Sequence, residues 1–352
     1  MSDLSQQFIE RIRAASAENP LCLCGAGSKD FYGNAPQGDI LDTRQHTGIV
    51  AYEPTELVIT AKCGTPLAEI EAALAEQGQC LPCEPPRFSA DSTLGGVAAA
   101  GLSGPRRASA GSLRDYVLGV KILDGNAREL NFGGRVMKNV AGYDVSRLIA
   151  GSLGTLGLIL EVSLKVLPRP VAEATLRFPM SEADALDRLN RWRGQPLPIV
   201  ASAWQDGALT LRLAGARAAV EAAQQKLGAG EAAESGFWDA LRDQNLPFFA
   251  AATLWRLSLP ATTPAMQLPG EQLIEWGGAQ RWLKSDAPAE AIRAAAARVG
   301  GSATLYRAPA DLKQRVGAFA ALPAPLLALH RSLKAAFDPR GILNPGRLYA
   351  EL

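Results

Sequence analysis

The 352-residue chain is poor in the side chains that most often bind metals or perform acid–base catalysis. It has two histidines, His46 and His330, and five cysteines. A low, odd number of cysteines is typical of reduced thiols and not of a disulfide framework. Cys80 and Cys83 have C-x-x-C spacing, but the sequence has no second such pair and no histidine pair to complete a zinc site. We therefore predict no metal site and incidental thiols at these two positions.

An excess of charge and long apolar runs are also missing. The formal net charge is +1, so the chain lacks the electrostatic footprint of a protein that binds nucleic acid or an anionic membrane. No apolar run approaches the roughly 18 residues of a transmembrane helix. The polar start of the chain lacks the basic and apolar segments of a signal peptide. We therefore expect a cytoplasmic protein.

Small residues are concentrated in one stretch, residues 92–104 (STLGGVAAAGLSG). Gly95 and Gly96 remove side-chain bulk and let the backbone approach another group closely. Ser92 and Thr93 precede a short, alanine-rich helical run, and the amides at such a helix start can form a nest for an anion. The sequence therefore predicts a phosphate or pyrophosphate site. The alternative is a tightly packed glycine helix without a ligand.

A second turn of small residues follows a predicted buried strand at residues 21–24. Gly25, Ala26, Gly27 and Ser28 form this turn, which is suited to phosphate. The dinucleotide fingerprint G-x-G-x-x-G is incomplete, because Asp30 stands where its third glycine would be. This argues against an NAD site of the Rossmann type.

The composition changes near residue 170. Before this point, glycine-rich loops connect predicted strands and helices. After it, strands and amphipathic helices alternate in an order typical of an antiparallel sheet with helices on one face, in a ferredoxin-like pattern. We predict an α+β protein with a nucleotide-binding domain at residues 1–170, a cap, substrate or partner domain at residues 171–335, and a tail at residues 336–352 that returns to the first domain.

Three blocks, in this order, resemble the two-subdomain FAD-binding domain of the vanillyl-alcohol-oxidase (PCMH-type) family. They are residues 92–96 with 111–119, residues 151–162, and residues 337–346. Residues 136–144 (VMKNVAGYD) further resemble the smaller of the FAD-binding subunits of bacterial glycolate oxidases. The resemblance covers residues 21–168 and 337–347 well and the middle of the chain loosely.

The resemblance implies FAD as the cofactor and assigns its binding residues by position. They are Gly25, Ala26, Gly27, Ser28, Ser92, Thr93, Gly95, Gly96, Ser103, Gly104, Gly154, Gly157, Leu158, Ile159 and Asn344. The first two loops would bind the pyrophosphate through backbone amides, Ser103 and Gly104 would lie along the flavin, and residues 154–159 would contact its edge. Relatives that attach FAD covalently often use a histidine in the first loop. This loop has none, so we expect non-covalent FAD.

The sequence offers no evident catalytic base. Oxidation of a 2-hydroxy acid requires a base for the hydroxyl proton and a cation for the carboxylate. Relatives that perform it typically carry a histidine-rich metal motif, which is missing here. Lys138, Tyr143 and Arg307 remain as candidates for a catalytic role.

The resemblance implies a subunit that helps to oxidise glycolate, a small 2-hydroxy acid, to glyoxylate. It would work with a larger FAD-binding subunit and an iron–sulfur subunit, and would be at most peripheral to a membrane through them. We expect the isolated chain to be inactive. A structural partner without chemistry and a stand-alone flavin enzyme on the same fold remain alternatives. The partner surface could include six aromatic residues, which could equally be core: Trp204, Phe237, Trp238, Phe248, Phe249 and Trp255.

Overall fold

The computed structural model of the chain describes residues 3–134, 143–228, 230–231 and 235–352. The helices within these ranges are α1 (Asp3–Ala14), α2 (Leu67–Glu76), α3 (Leu94–Ala100), α4 (Arg107–Ala110), α5 (Leu113–Tyr116), α6 (Val145–Ile149), α7 (Glu182–Arg193), α8 (Arg217–Leu227), α9 (Phe237–Arg242), α10 (Ala289–Arg298), α11 (Ala310–Val316) and α12 (Ala324–Phe337). Over the described ranges, no helix combines the length and the apolar character needed to cross a membrane.

Among the described residues, the strands pair into two large antiparallel sheets and two small pairs. They are β1 (Leu21–Cys24), β2 (Asp39–Asp42), β3 (Ile49–Glu53), β4 (Val58–Lys62), β5 (Gln79–Cys80), β6 (Val117–Leu123), β7 (Glu129–Gly133), β8 (Leu158–Lys165), β9 (Leu167–Pro168), β10 (Ala172–Pro179), β11 (Ile199–Gln205), β12 (Ala208–Gly215), β13 (Leu254–Ser258), β14 (Glu271–Glu275), β15 (Gln280–Lys284) and β16 (Ser302–Arg307). Short 3₁₀ turns cover Pro247–Ala250 and Trp276–Gly278.

The first large sheet has the order β3-β4-β8-β6-β7. Helices α2 and α3 pack against it through Leu67, Ile70, Leu74, Leu94 and Val97, which are all buried in one apolar cluster. The spacing of these residues along their helices places them on one face, and burial of that face stabilises helices too short to persist alone.

The parallel pair β1-β2 lies beside this sheet and is joined to the end of the chain. Leu21 forms a parallel bridge with Leu343, and the amide of Leu21 donates to the carbonyl of Ile342. Arg340 fixes the same tail to the start of the chain, because its guanidinium donates to the carbonyls of Ile12 and Gly125 at 2.7 Å each. The last residues of the chain therefore pack with the first ones.

The second large sheet has the order β10-β12-β11-β14-β15-β13-β16. The order β10, α7, β11, β12, α8 is that of a ferredoxin-like half. Helices α7, α8 and α10 contribute buried residues to clusters with Leu209, Leu211, Leu213 and Leu257 of one sheet face. The predicted α+β class, with an antiparallel sheet and helices on one face, agrees with this arrangement.

The opposite face of this sheet packs against the first half of the chain. Leu254, Leu273 and Trp282 share one buried cluster with Tyr32 and Leu102. Aromatic rings extend this contact, since Trp282 and Tyr306 meet edge to face with ring centroids 4.8 Å apart.

Part of the predicted aromatic partner surface is core. Phe248 and Phe249 are each 2% exposed and Trp255 is 1% exposed, so an interface role for these three is wrong. Their strands and turns direct them inward, where they pack among other buried apolar residues. Trp204, Phe237 and Trp238 are partly buried and also pack against apolar clusters.

Candidate functional site

An open cleft lies where the end of β1, helix α3 and the start of β8 meet the tail. Twelve of the residues predicted to bind FAD line it: Gly25, Ala26, Gly27, Ser28, Thr93, Gly95, Gly96, Gly154, Gly157, Leu158, Ile159 and Asn344. The structure thus brings residues of all the sequence blocks to one place.

The turn after β1 offers a row of free amide donors. Among the described residues, the N–H groups of residues 25–29 meet no acceptor, whereas the N–H of Asp30 donates to the carbonyl of Gly27. Gly27 has φ = 70°, the left-handed conformation that glycine adopts without strain. Successive unpaired amides around such a residue form a concave anion site. This turn therefore has the donors that two phosphates require.

The loop at residues 92–96 contributes space and not donors. The amide of Leu94 donates to the carbonyl of Thr65, and that of Gly95 to the carbonyl of Cys63 at 2.7 Å. The amide of Gly96 donates to the hydroxyl of Thr93, the N-cap of α3, at 3.3 Å. In this structure these three amides already have acceptors within the chain, and pyrophosphate binding through the amides of this loop stays a prediction. Earlier segments of the chain and the N-cap already satisfy them.

Gly95 and Gly96 differ in what surrounds them. A Cβ added at Gly95 would lie 2.7 Å from the Cβ of Cys63, so this glycine permits the packing of α3 on the chain beneath it. A Cβ added at Gly96 would have one neighbour within 4 Å, the Thr93 hydroxyl at 3.3 Å. Gly96 lines the cleft, and a side chain here would extend into it.

The third wall of the cleft is the turn before β8, which Asn344 holds in place. The side-chain oxygen of Asn344 accepts from the amide of Leu23 at 2.7 Å, and its nitrogen donates to the carbonyl of Leu153 at 2.6 Å. A Cβ at Gly154 would lie 2.6 Å from that nitrogen. Asn344 lines the cleft, but its amide connects β1 to this turn, so its main observed role is to position the walls.

Lys29 is a cleft residue that the sequence patterns did not single out. It is 8% exposed, and its ammonium donates to the hydroxyls of Ser28 and Ser92 and to the carbonyl of Arg87. Burial lowers its pKa to about 8. None of its described hydrogen-bond partners is a carboxylate, so this buried cation is solvated by neutral oxygens. The feature of the sequence that could have identified Lys29 as a cleft residue is its position directly after the turn at residues 25–28.

Arg347 supplies a second cation from the tail. It is 6% exposed and lines the cleft. Its guanidinium donates to the carbonyls of Asp30, Asn34 and Tyr32, and this holds the segment that follows the glycine turn. Burial lowers the pKa of the Arg347 guanidinium. Burial has the opposite effect on the carboxyl of Asp30, which also lines the cleft, and raises its pKa. The Lys29 and Arg347 cations are the groups that favour an anionic ligand in the cleft.

Three of the predicted FAD residues do not line the cleft. Ser92 lies beneath the Lys29 ammonium, to which it is hydrogen bonded. Ser103 and Gly104 line a smaller cavity on the other side of residues 99–102, against the second sheet. Ser103 accepts from the amide of Leu113 at 2.9 Å, and Gly104 accepts from the Trp276 indole at 3.1 Å.

Of the three catalytic candidates, the two that lie among the described residues, Tyr143 and Arg307, do not line the cleft. Arg307 donates to the carbonyl of Phe249 and to the side chain of Gln244, and its guanidinium lies 4.8 Å from the centroid of Phe31. It lines neither cavity, and its contacts stabilise the packing between the two halves. Tyr143 is 95% exposed. Lys138 lies outside the described residues.

These features fit FAD. A diphosphate needs several oriented N–H donors, little side-chain bulk and positive charge, and the cleft combines the amides of residues 25–29, the bare surface of Gly96, and the Lys29 and Arg347 cations.

Comparisons with known proteins agree with this geometry. A family model for an FAD binding domain matches residues 5–133, and one for the C-terminal domain of FAD linked oxidases matches residues 321–348. The chain is 52% identical to glycolate oxidase subunit GlcE of Escherichia coli (strain K12) over 352 residues, 99% of this chain and 99% of that protein.

More distant relatives match part of the chain. It is 31% identical over 181 residues to glycolate oxidase subunit GlcD of Bacillus subtilis (strain 168), which is 50% of this chain and 38% of that protein.

The solved structure of an alkyldihydroxyacetonephosphate synthase shares the fold at a TM-score of 0.65 and 16% identity, over 97% of this chain and 75% of that one. This likeness confirms the predicted fold class. With its FAD binding domain and its near-complete match to a curated subunit, the chain belongs to the GlcE family of glycolate oxidase subunits.

Proposed function

We propose that the chain binds FAD non-covalently in the cleft and acts as a flavin subunit of an assembly that oxidises glycolate to glyoxylate. The observation that carries this proposal is the row of free amides at residues 25–29 beside the buried Lys29 ammonium, in a glycine-lined cleft. Bound FAD supplies a two-electron acceptor for the oxidation of a CH–OH group.

Each wall of the cleft has a separate task in this proposal. The turn at residues 25–29 donates hydrogen bonds to the pyrophosphate, and Lys29 and Arg347 offset its charge. Gly96 leaves room for close approach. The backbone of residues 154–159, held by Asn344, forms the opposite wall and excludes water.

No histidine supports a covalent bond to the flavin. His46 is 4% exposed and meets the ring of Phe8, with centroids 5.9 Å apart. His330 stacks edge to face on Tyr349. Neither lines the cleft. The cleft does contain Cys22, Cys24 and Cys63, but burial raises the pKa of all three thiols, which favours the unreactive protonated form.

We further propose that this subunit works with a larger FAD-binding subunit and an iron–sulfur subunit, to which electrons pass from glycolate. The name of the E. coli relative, a subunit, supports an assembly of more than one chain. The similarity to GlcD over half of this chain supports a related flavin fold in a larger partner.

Steady-state turnover with glycolate and an artificial dye tests this proposal. We expect the isolated, FAD-containing chain to fall below the ordinary enzyme range of ~1–10³ s⁻¹ and to gain activity when it is co-expressed with the two partner subunits. Turnover of several per second by the chain alone would contradict the assembly and would favour a stand-alone enzyme. A colourless chain that still joins an active assembly would show a structural partner.

A further inference from the structure

An open groove crosses the boundary between the two halves of the chain. Residues of α4 from the first half line it, together with the end of α7, the start of β11 and the 3₁₀ turn Trp276–Gly278 from the second half. It offers about 500 Å³ of space, against the ~10–15 Å³ that one water needs. The groove therefore has room for side chains of another molecule.

Two tryptophans give the groove its apolar surface. Trp192, near the end of α7, and Trp276 both line it and are partly buried, as are Leu197 and Ile199 beside them. None of the six aromatic residues of the predicted partner surface lines it. Tryptophan and arginine are the side chains that most often carry the binding energy of protein interfaces, and this groove contains two of each.

Trp276 is held in a conformation that tryptophan seldom adopts. Its φ is 55°, in the left-handed region. Its indole donates to the carbonyl of Gly104 at 3.1 Å, and the guanidinium of Arg107 lies 4.6 Å from its ring centroid. The amide of Gly277 donates to the Ser202 hydroxyl at 3.0 Å and fixes the backbone after it. Strained residues of this kind cluster at functional sites, and a ring that is already fixed costs no ordering when a partner packs on it.

The charge in the groove has one sign. Its charged lining residues are two exposed arginines, Arg107 and Arg193. Within the described ranges neither forms an ion pair, since Arg193 donates to the carbonyl of Gly277 at 3.2 Å and Arg107 stacks on the indole. Arg191 on the same helix differs, because it is paired with Asp187 at 2.6 Å. Guanidinium groups bind carboxylates through parallel N–H donors, so the groove is complementary to an acidic side chain.

We propose that this groove is the docking site for a segment of a partner subunit in which an acidic side chain stands beside an apolar one. The carboxylate binds the two arginines, and the apolar side chain packs on Trp192 and Trp276. This inference rests on the proposed function, because it names a contact surface for the assembly proposed there. A symmetric contact with a second copy of this chain would bring two cationic grooves together, so charge favours a different chain.

Co-purification of the assembly tests the arginines. The full chain is co-expressed with the larger FAD-binding subunit and the iron–sulfur subunit, and the amount retained by a tag on the larger subunit is measured. Arg193→Glu should reduce the retained chain about tenfold or more, whereas Arg193→Lys should keep most of it. Arg191→Glu is the matched control, since it reverses the charge at an exposed site of the same helix outside the groove, where an ion pair contributes little.

A second variant tests the aromatic wall. Trp276→Gly removes the ring, and glycine adopts a φ of 55° without strain, so the backbone of the turn should be kept. We expect its retention to fall about tenfold or more as well. Urea unfolding of each isolated variant checks that the chain is folded.

Unchanged retention of Arg193→Glu and Trp276→Gly in an assembly that forms would overturn the surface and leave the proposed assembly standing. An equal loss in Arg191→Glu would also overturn it, because the effect would then not be confined to the groove. A dimer of the isolated chain that Arg193→Glu dissociates would place a second copy in the groove and refute the partner segment. An unaltered chain that retains no partner subunit would refute the assembly together with this surface, and flavin content, measured on the same samples, tests FAD binding separately.

Discussion

Substitutions at Gly96 should affect FAD binding strongly and the stability of the fold only slightly, so they test the two separately. It occupies the third position of α3, it lines the cleft, and an added Cβ would touch the Thr93 hydroxyl alone at 3.3 Å. Its neighbour Gly95 faces the other way, where an added Cβ would lie 2.7 Å from that of Cys63. Adjacent substitutions should therefore have opposite effects.

The magnitudes follow from these surroundings. Alanine is favoured over glycine within a helix by ~1 kcal/mol, so Gly96→Ala should change the free energy of unfolding by less than ~1 kcal/mol once the tight contact with Thr93 is included. In the complex, the methyl group occupies space that FAD requires. Overpacking of this kind costs ~1–3 kcal/mol, or about 5–150-fold in Kd, and the larger side chain of Gly96→Val should abolish binding. Gly95→Ala should lower the free energy of unfolding by ~1–3 kcal/mol.

The assay is FAD titration of the apoprotein, followed by quenching of flavin fluorescence, together with urea unfolding of the same preparations. Gly95→Ala is the control, since it should lose stability and retain FAD affinity when folded. A Gly96→Val chain that binds FAD as tightly as the unaltered chain would refute the placement of the cofactor in this cleft.

Two further substitutions test the charged groups. Lys29→Met should weaken FAD binding about 10–100-fold, because a charge-assisted hydrogen bond is lost. Bound pyrophosphate favours the charged amine and raises its pKa above the value of about 8 in the free chain. FAD affinity, measured by titration between pH 6.5 and 9.5, should therefore fall as the pH rises past 8, and Lys29→Met should remove that fall. Asp338→Ala should lower the free energy of unfolding by about 3–5 kcal/mol, because it leaves the buried Lys334 ammonium, now paired at 2.8 Å, without its counterion. Urea unfolding measures this loss, and an unchanged midpoint would contradict it.

Local sequence patterns were enough to predict most of the helices and strands and the glycine-containing segments that line the cleft. The apolar run at residues 21–24 forms β1. A threonine followed by a proline is the usual pattern of an N-cap and first helical residue, and helix α2 does follow Thr65 and Pro66. The Thr65 hydroxyl, however, accepts from the amide of Gly48 at 2.9 Å, and the helix begins after Pro66. Strands β2 and β7 were not predicted, since both are short and more than half of the residues in each are exposed.

The chemistry of the cleft depended more on distant contacts. No pattern within residues 92–96 shows that Cys63 and Thr65 occupy the amides of that loop. Sheet register likewise brings Arg256 and Glu275 to one cavity from segments nearly 20 residues apart, which no local pattern predicts.

The central claim is that this chain holds FAD without a covalent bond. Acid precipitation of the purified chain, followed by chromatography of the supernatant and absorbance of the pellet, tests it most directly. We predict that all of the flavin appears in the supernatant as FAD and that the pellet is colourless. Yellow colour that stays with the pellet would contradict non-covalent binding, and a chain that contains no flavin and takes up none would contradict the claim as a whole.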